Sequence, residues 1–213
     1  MRVLIVAATA GEIESWIADA PRHQVTALVT GVGMFATATH VARALALDRD
    51  TYDLAINVGL CGAFDRTLSL GTVVHVVRDH LSELGVEDGP TFVPAAAAGL
   101  MPSGDFPYVD GCLTNTTHPT CDALDALPRV SGITVNTVHG DTRSIEAVAA
   151  RCQPHVESME GAAFLYACLV SGVPGIQVRA VSNYVERRNR AAWKIPEAVS
   201  ALGRAATEIL HQL

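Results

Sequence analysis

Apolar and polar positions follow two alternating rhythms along the chain. Residues 3–8 (VLIVAA) are apolar without a break, which predicts a strand covered on both faces. Residues 23–31 (HQVTALVTG) predict a second strand, and residues 34–47 (MFATATHVARALAL) carry apolar side chains at helical spacing with small residues along one side. Buried strands follow at 52–59 (YDLAINVG), 71–79 (GTVVHVVRD) and 132–141 (GITVNTVHGD), then a helix at 144–151 (SIEAVAAR). A short strand around 155–157, a helix at 159–172 (MEGAAFLYACLVSG), a strand at 175–183 (GIQVRAVSN) and a last helix at about 189–213 complete the series. This order predicts an α/β fold: a single domain, 1–213, with a central mixed, twisted sheet flanked by helices on both faces. Residues 87–111, rich in Pro, Gly and Ala, predict a surface loop or lid inserted between strands.

Composition narrows the classes. With 213 residues, 49% of them hydrophobic and 17% charged, the chain suffices for one domain with a large core and lies far from disorder. A formal net charge of −7 argues against a broad nucleic-acid-binding face. No apolar segment reaches the roughly 20 residues that span a bilayer, so no membrane association is expected. The opening MRVLIVAATAGEIESW reads as a first strand and not as a signal peptide. Five cysteines without C-x-x-C spacing predict reduced thiols in a cytoplasmic protein. Eight histidines show no H-E-x-x-H or similar spacing, and no metal is expected.

Candidate chemistry gathers at strand ends, where α/β sheets bind ligands. Those ends read ATAGEIE, TGVGMF, VGLCGAF, HGDTRS, ESMEG and SNYVE. TGVGMFA has the G-x-G-x-x-A form of a dinucleotide turn, but the next strand ends INVGL without the acid that holds a ribose hydroxyl; a tight turn lining another pocket fits better. Glu12 is expected in the first turn of a short helix, a placement worth about 0.3–1 kcal/mol by itself. Glu160 is expected in a first turn capped by Ser158. The helix it opens is almost wholly apolar and hence buried, so its carboxylate needs donors, and a sugar diol would supply two. Cys61, in GLCG, reads as a small buried side chain, and His75 and His139 as structural histidines with partners. Arg187, Arg188, Arg190 and Lys194 read either as a solvated helix start or as a grip on a substrate carboxylate.

At VESMEGAAFLYAC followed by VRAVSNYVE, the sequence resembles the nucleoside phosphorylase/nucleosidase superfamily, in the branch containing methylthioadenosine/adenosylhomocysteine nucleosidases and futalosine hydrolases. Its tail, RAVSNYVERRNRAAWKIPEA, is most similar to the futalosine hydrolases. The resemblance implies that Glu12 activates water, that Met159 and Glu160 pack under the ribose and bind its hydroxyls, and that Asn183 takes the place of a purine-binding Asp. It makes Arg179 a support for that position. It also assigns Val32 and Gly33, with Gly59, Leu60 and Gly62, to the turns lining the sugar and its 5′ substituent. Arg143 stands where the nucleosidases stack an aromatic on the base; Phe35, Phe106, Tyr184 or the Arg143 plane are the candidates to replace it.

N-glycoside cleavage suits these roles, because charge gathers on the leaving purine while the ribose becomes cationic. A general base contributes typically about 10²–10⁴-fold, and diol hydrogen bonds that tighten in the transition state add to it. An Asn at the purine position offers its carbonyl to N7–H and its NH₂ to an oxygen at C6. A 6-amino group would oppose that NH₂, and an unpaired buried donor costs roughly 1–3 kcal/mol. The Asn therefore predicts a 6-oxopurine nucleoside, and the resemblance implies hydrolysis of futalosine, with no cofactor and a homodimer or larger homo-oligomer as the assembly. A purine nucleoside phosphorylase and a non-catalytic nucleoside-binding protein are the rival readings. Against the first, Asn57 and Leu60 stand where phosphorylases grip phosphate, and ATAGEIE carries no Arg.

Overall fold

A computed structural model describes residues 1–20, 25–47, 52–102, 104–114 and 118–213. The unbroken apolar run near the start becomes β1 (Val3–Ala7), paired on both edges and buried along its whole length because Val3, Ile5 and Ala7 enter the core on one face and Leu4 and Val6 that on the other. β2 (Val25–Val29) and β3 (Leu54–Ala63) are those neighbours, both parallel to it, with α1 (Met34–Leu47) crossing between them. The chain continues through β4 (Val73–Leu81), a hairpin of β5 (Gly85–Asp88) and β6 (Thr91–Pro94), and the two-residue β7 (Leu113–Thr114). After α2 (Asp122–Asp125) come β8 (Arg129–Thr134), α3 (Thr142–Cys152), β9 (Val156–Ser158), α4 (Gly161–Ser171), β10 (Gly175–Tyr184) and α5 (Ile195–Gln212).

The main sheet is mixed and runs β10-β4-β8-β9-β3-β1-β2, with β7 on β4. It curls until β10 also pairs with β3, so β10, β4, β8, β9 and β3 close a ring. One apolar core packs α5, α2 and Trp16 on β1, β3 and β10; a second packs α1 and α4 on the opposite face. A third cluster (Cys61, Ala63, Val74, Val76, Val130, Val156, Val181) is shared among the ring strands. Among the described residues, no helix is long and apolar enough to cross a membrane.

Three details differ from the sequence reading. The segment 87–111 is not loop throughout: it begins inside the β5–β6 hairpin, turned at Gly89-Pro90 with Gly89 at φ 60°. α4 starts two residues later than expected, leaving Glu160 at the N-cap position while the Gly161 N–H still reaches Ser158 Oγ at 3.3 Å. His75 lacks the partners expected of it: both ring nitrogens are buried without a hydrogen bond among the described residues. Burial pulls its pKa down to about 4, so the ring is neutral.

Candidate active site

β1 stops at Ala7 and the chain turns through a short 3-10 segment, Ala10–Glu12. The spacing Thr9-x-x-Glu12 makes this turn self-supporting. Glu12 Oε2 accepts from the Thr9 N–H at 2.9 Å and from the Thr9 hydroxyl at 3.1 Å. Its other oxygen, Oε1, accepts from the Leu60 N–H of β3 at 3.2 Å. The Trp16 indole donates to the Glu12 carbonyl at 2.9 Å and ties the turn to the core under α5. Both faces of the carboxylate are thus fixed, and the side chain is buried.

Glu160 follows β9. Its Oε1 accepts from the Gly33 N–H at 3.1 Å, at the glycine turn leading into α1, where Gly31 and Gly33 have φ of 91° and 98°. The glycine pattern that resembled a dinucleotide turn therefore serves a carboxylate of its own chain. Its Oε2 lies 3.9 Å from Arg179 Nη1, an ion pair in which both side chains are almost wholly buried.

Arg179 joins the two acids. Register places it beside Gly59 on β3, and a Cβ at Gly59 would lie 2.2 Å from Arg179 Nη1 and 3.0 Å from Glu12 Oε1. Glycine is required there so that guanidinium and carboxylate can converge. Arg179 Nη2 donates to Asn57 Oδ1, while Asn57 Nδ2 donates to the Val6 carbonyl at 3.0 Å. Asn57 is thereby committed inward.

Asn183 lies at the end of β10 opposite Gly62, beyond an irregularity in the β10–β3 register. A Cβ at Gly62 would lie 3.1 Å from Asn183 Nδ2, so this glycine too makes room for a site residue. The amide is oriented locally: Nδ2 donates to the Tyr184 carbonyl at 3.0 Å, and Oδ1 accepts from the Ser182 hydroxyl at 2.8 Å. A carbonyl only accepts, so Tyr184 decides which end is NH₂. One lone pair and one N–H remain for a ligand.

Glu12, Gly33, Gly59, Leu60, Glu160 and Arg179 thus form one hydrogen-bonded or contacting group, and Gly62 packs on Asn183. Met159 is half-buried between Ser158 and Glu160 in the chain, and Val32 is 58% exposed at the tip of the glycine turn. Arg143 is not brought into the group. Its side chain is 94% exposed, held by Asp141, the residue that caps α3. Phe35 and Phe106 are also exposed, whereas Tyr184 lies under the Arg66 guanidinium at 4.7 Å. Arg188 and Arg190 lie over Trp193, and Lys194 pairs with Glu197, as a solvated helix start would have them. Cys61 is buried and its thiol is pushed up to about 12, which makes it inert. His139 does have a partner: it meets the buried carboxylate of Glu157 through both its ring and its backbone N–H.

Sequence reasoning missed Thr9, Trp16 and Asn57 as supports of the site. Only the first carried a readable signal, the T-x-x-E spacing of a capping box. Among the described residues, no group of three or more His, Cys, Asp and Glu is placed to hold a metal ion.

A strand-end turn with a clamped carboxylate, a second carboxylate on a glycine turn and an arginine between them thus meet in one place. The phosphorylase superfamily pattern matches residues 7–212, and the chain belongs to that superfamily. Within it, the chain is 34% identical over 187 residues to the futalosine hydrolase of Thermus thermophilus, covering 87% of this chain and 80% of that one. The fold is that of the 5′-methylthioadenosine/S-adenosylhomocysteine nucleosidase of Colwellia psychrerythraea in complex with adenine, with a TM-score of 0.80 at 18% identity over 100% of this chain and 96% of the other. Futalosine hydrolase of Helicobacter pylori superposes with a TM-score of 0.79 at 12% identity, over 100% of this chain and 98% of the other.

Proposed function

We propose that this chain hydrolyses the N-glycosidic bond of futalosine, releasing hypoxanthine and leaving dehypoxanthinylfutalosine, a cytoplasmic step of menaquinone biosynthesis. The observation that carries the reading is the Asn183 amide, whose NH₂ is committed to the Tyr184 carbonyl and whose oxygen is turned toward Ser182. In that orientation the remaining lone pair meets N7–H of the leaving base and the remaining N–H meets O6. An adenine amino group would face the NH₂ donor to donor.

Glu12 takes the proton of the attacking water. Its three backbone and hydroxyl donors hold it in place and aimed. Glu160 accepts from the ribose hydroxyls, with Met159 beneath the sugar and Val32, Gly33, Gly59, Leu60 and Gly62 along the walls. Water is favoured over phosphate as nucleophile because Asn57, at the position where a phosphorylase would grip its anion, is taken up by Arg179 and Val6. The assembly in this reading is a homodimer or larger. Phe35 on α1 and Tyr166 and Val170 on α4 are 87%, 40% and 49% exposed on two helices that pack together, apolar surface that a second copy would cover in this reading.

The test is chromatographic detection of free base from futalosine, aminofutalosine and inosine, each with and without phosphate. Rapid release of hypoxanthine from futalosine without phosphate is expected. Strict dependence on phosphate would replace the hydrolase with a phosphorylase.

A further inference from the structure

Below Arg179 a fully buried polar chain continues away from the site. Arg179 Nε donates to Gln177 Oε1 at 3.1 Å, and Gln177 Nε2 donates to Asp79 Oδ2 at 2.9 Å. Asp79 Oδ1 accepts from the Thr134 hydroxyl at 2.9 Å, and Thr134 Oγ1 in turn accepts from the Ala162 N–H, in the first turn of α4, at 2.7 Å. The chain thus starts beneath the Arg179–Glu160 pair and returns to the helix that Glu160 caps. Gly161 leaves the space for it: a Cβ there would lie 2.2 Å from Gln177 Oε1 and 2.3 Å from Asp79 Oδ2. Asp79, Gln177 and Thr134 are all buried, and the groups facing Asp79 are Gln177 and Arg179 from β10, Thr134 from β8, Cys112, and the His80 backbone N–H.

A buried carboxylate is costly to keep, and an apolar pair would fill the same space with less penalty. What the carboxylate supplies is direction. Ionised Asp79 only accepts, so Gln177 must turn its NH₂ toward Asp79 and its carbonyl toward Arg179 Nε. The flipped amide sets donor against donor at Arg179 and acceptor against acceptor at Asp79.

We propose that Asp79 and Gln177 are positioning residues of the reaction: the fixed amide of Gln177 anchors Arg179 Nε and so holds the guanidinium between Glu160 and Glu12. The proposal rests on the reading of Glu12 and Glu160 as the reacting carboxylates. Burial pushes the Asp79 carboxyl up to about 6, so above that pH the residue is ionised and the direction of Gln177 is enforced.

The experiment uses the full chain at pH 8 and compares wild type with Gln177→Met and Asp79→Asn, following both base release from futalosine and the ¹⁵Nε–H signal of Arg179. Gln177→Met keeps the bulk and removes the acceptor. kcat is expected to fall roughly tenfold to a hundredfold while KM stays within about threefold, and the Arg179 Nε–H signal loses its slow exchange. Asp79→Asn, which still accepts from Gln177 but permits a flipped amide, is expected to show a smaller fall in kcat with no loss of thermal stability. A merely structural role would lower kcat only in step with the folded fraction. An unchanged kcat in folded Gln177→Met overturns the proposal. Should wild type release no base from any nucleoside, the functional reading has failed. The NMR signal then decides the relay alone: its persistence in Gln177→Met rejects the anchoring of Arg179, and its loss retains it.

Discussion

At the carboxylate end of the site, Glu12 has three donors from two elements, Glu160 has a backbone donor from a third, and a 1%-exposed Arg179 lies against Glu160 with its own anchors behind it. At the base end, Asn183 is half-buried and its amide is set by its neighbours in the chain, Ser182 and Tyr184. The first end is preorganised by tertiary structure, as groups that stabilise developing charge need to be. The second is a local device on a strand end. The proposed function therefore predicts that chemistry and selectivity separate: damage to the deep end should lower turnover of every nucleoside, whereas a change at Asn183 should re-rank the nucleosides.

The largest expected effect tests the deep end directly. Glu12→Gln keeps the shape and removes the base, so kcat should drop about 10²–10⁴-fold in steady-state base release, with hypoxanthine affinity nearly unchanged by calorimetry. Loss of affinity with intact turnover would reassign Glu12 to binding. Next comes Gly59→Ala, whose methyl would meet Arg179 Nη1 at 2.2 Å and Glu12 Oε1 at 3.0 Å. Displacing these groups by about 1 Å predicts a fall of roughly a hundredfold in kcat, with the preference among bases preserved. A changed preference would mean that the two ends are coupled.

A smaller effect concerns stability under the deep end. Native Asp79 holds its proton up to about pH 6, against 3.8 ordinarily, because burial penalises the charge. Between those values the native state binds more protons than the unfolded chain, so ionisation of Asp79 removes stability as pH rises through the window. Asparagine does not titrate. The Tm of Asp79→Asn relative to wild type should therefore climb by a few degrees from about pH 4 to about pH 6.5 and then level off. A flat difference would show that Asp79 is not perturbed.

Much of this architecture was legible from periodicity. β1, β3, β4 and β10 announce themselves as apolar runs because they are largely buried on both faces. β7, with two residues, and α2, with four, carry too short a pattern, and their existence depends on the strand and helix they dock against. The closing of the sheet into a ring depends on β3 pairing with β10 across a long stretch of intervening chain, which no local pattern reports. Glu12, Glu160 and Asn183 stood out because they lie at or just beyond strand ends, where α/β sheets bind ligands. Gln177 and Asp79 did not, since each reads as an interior strand position and they meet 98 residues apart in sequence. Arg143 was expected just past a strand running to 141, but β8 stops at Thr134 and Arg143 lies in the first turn of α3, exposed beside its capping residue Asp141.

The most direct test is the ratio of kcat/KM for futalosine to that for aminofutalosine, in wild type and in Asn183→Asp. Wild type should prefer futalosine roughly tenfold to a hundredfold, the cost of one unpaired buried donor. In the variant, a protonated carboxyl at this position donates to N7 and accepts from a 6-amino group, so the preference should be lost or reversed while Glu12 and Glu160 keep the reaction running. An unchanged ratio in folded, active Asn183→Asp would contradict the assignment of base recognition to Asn183.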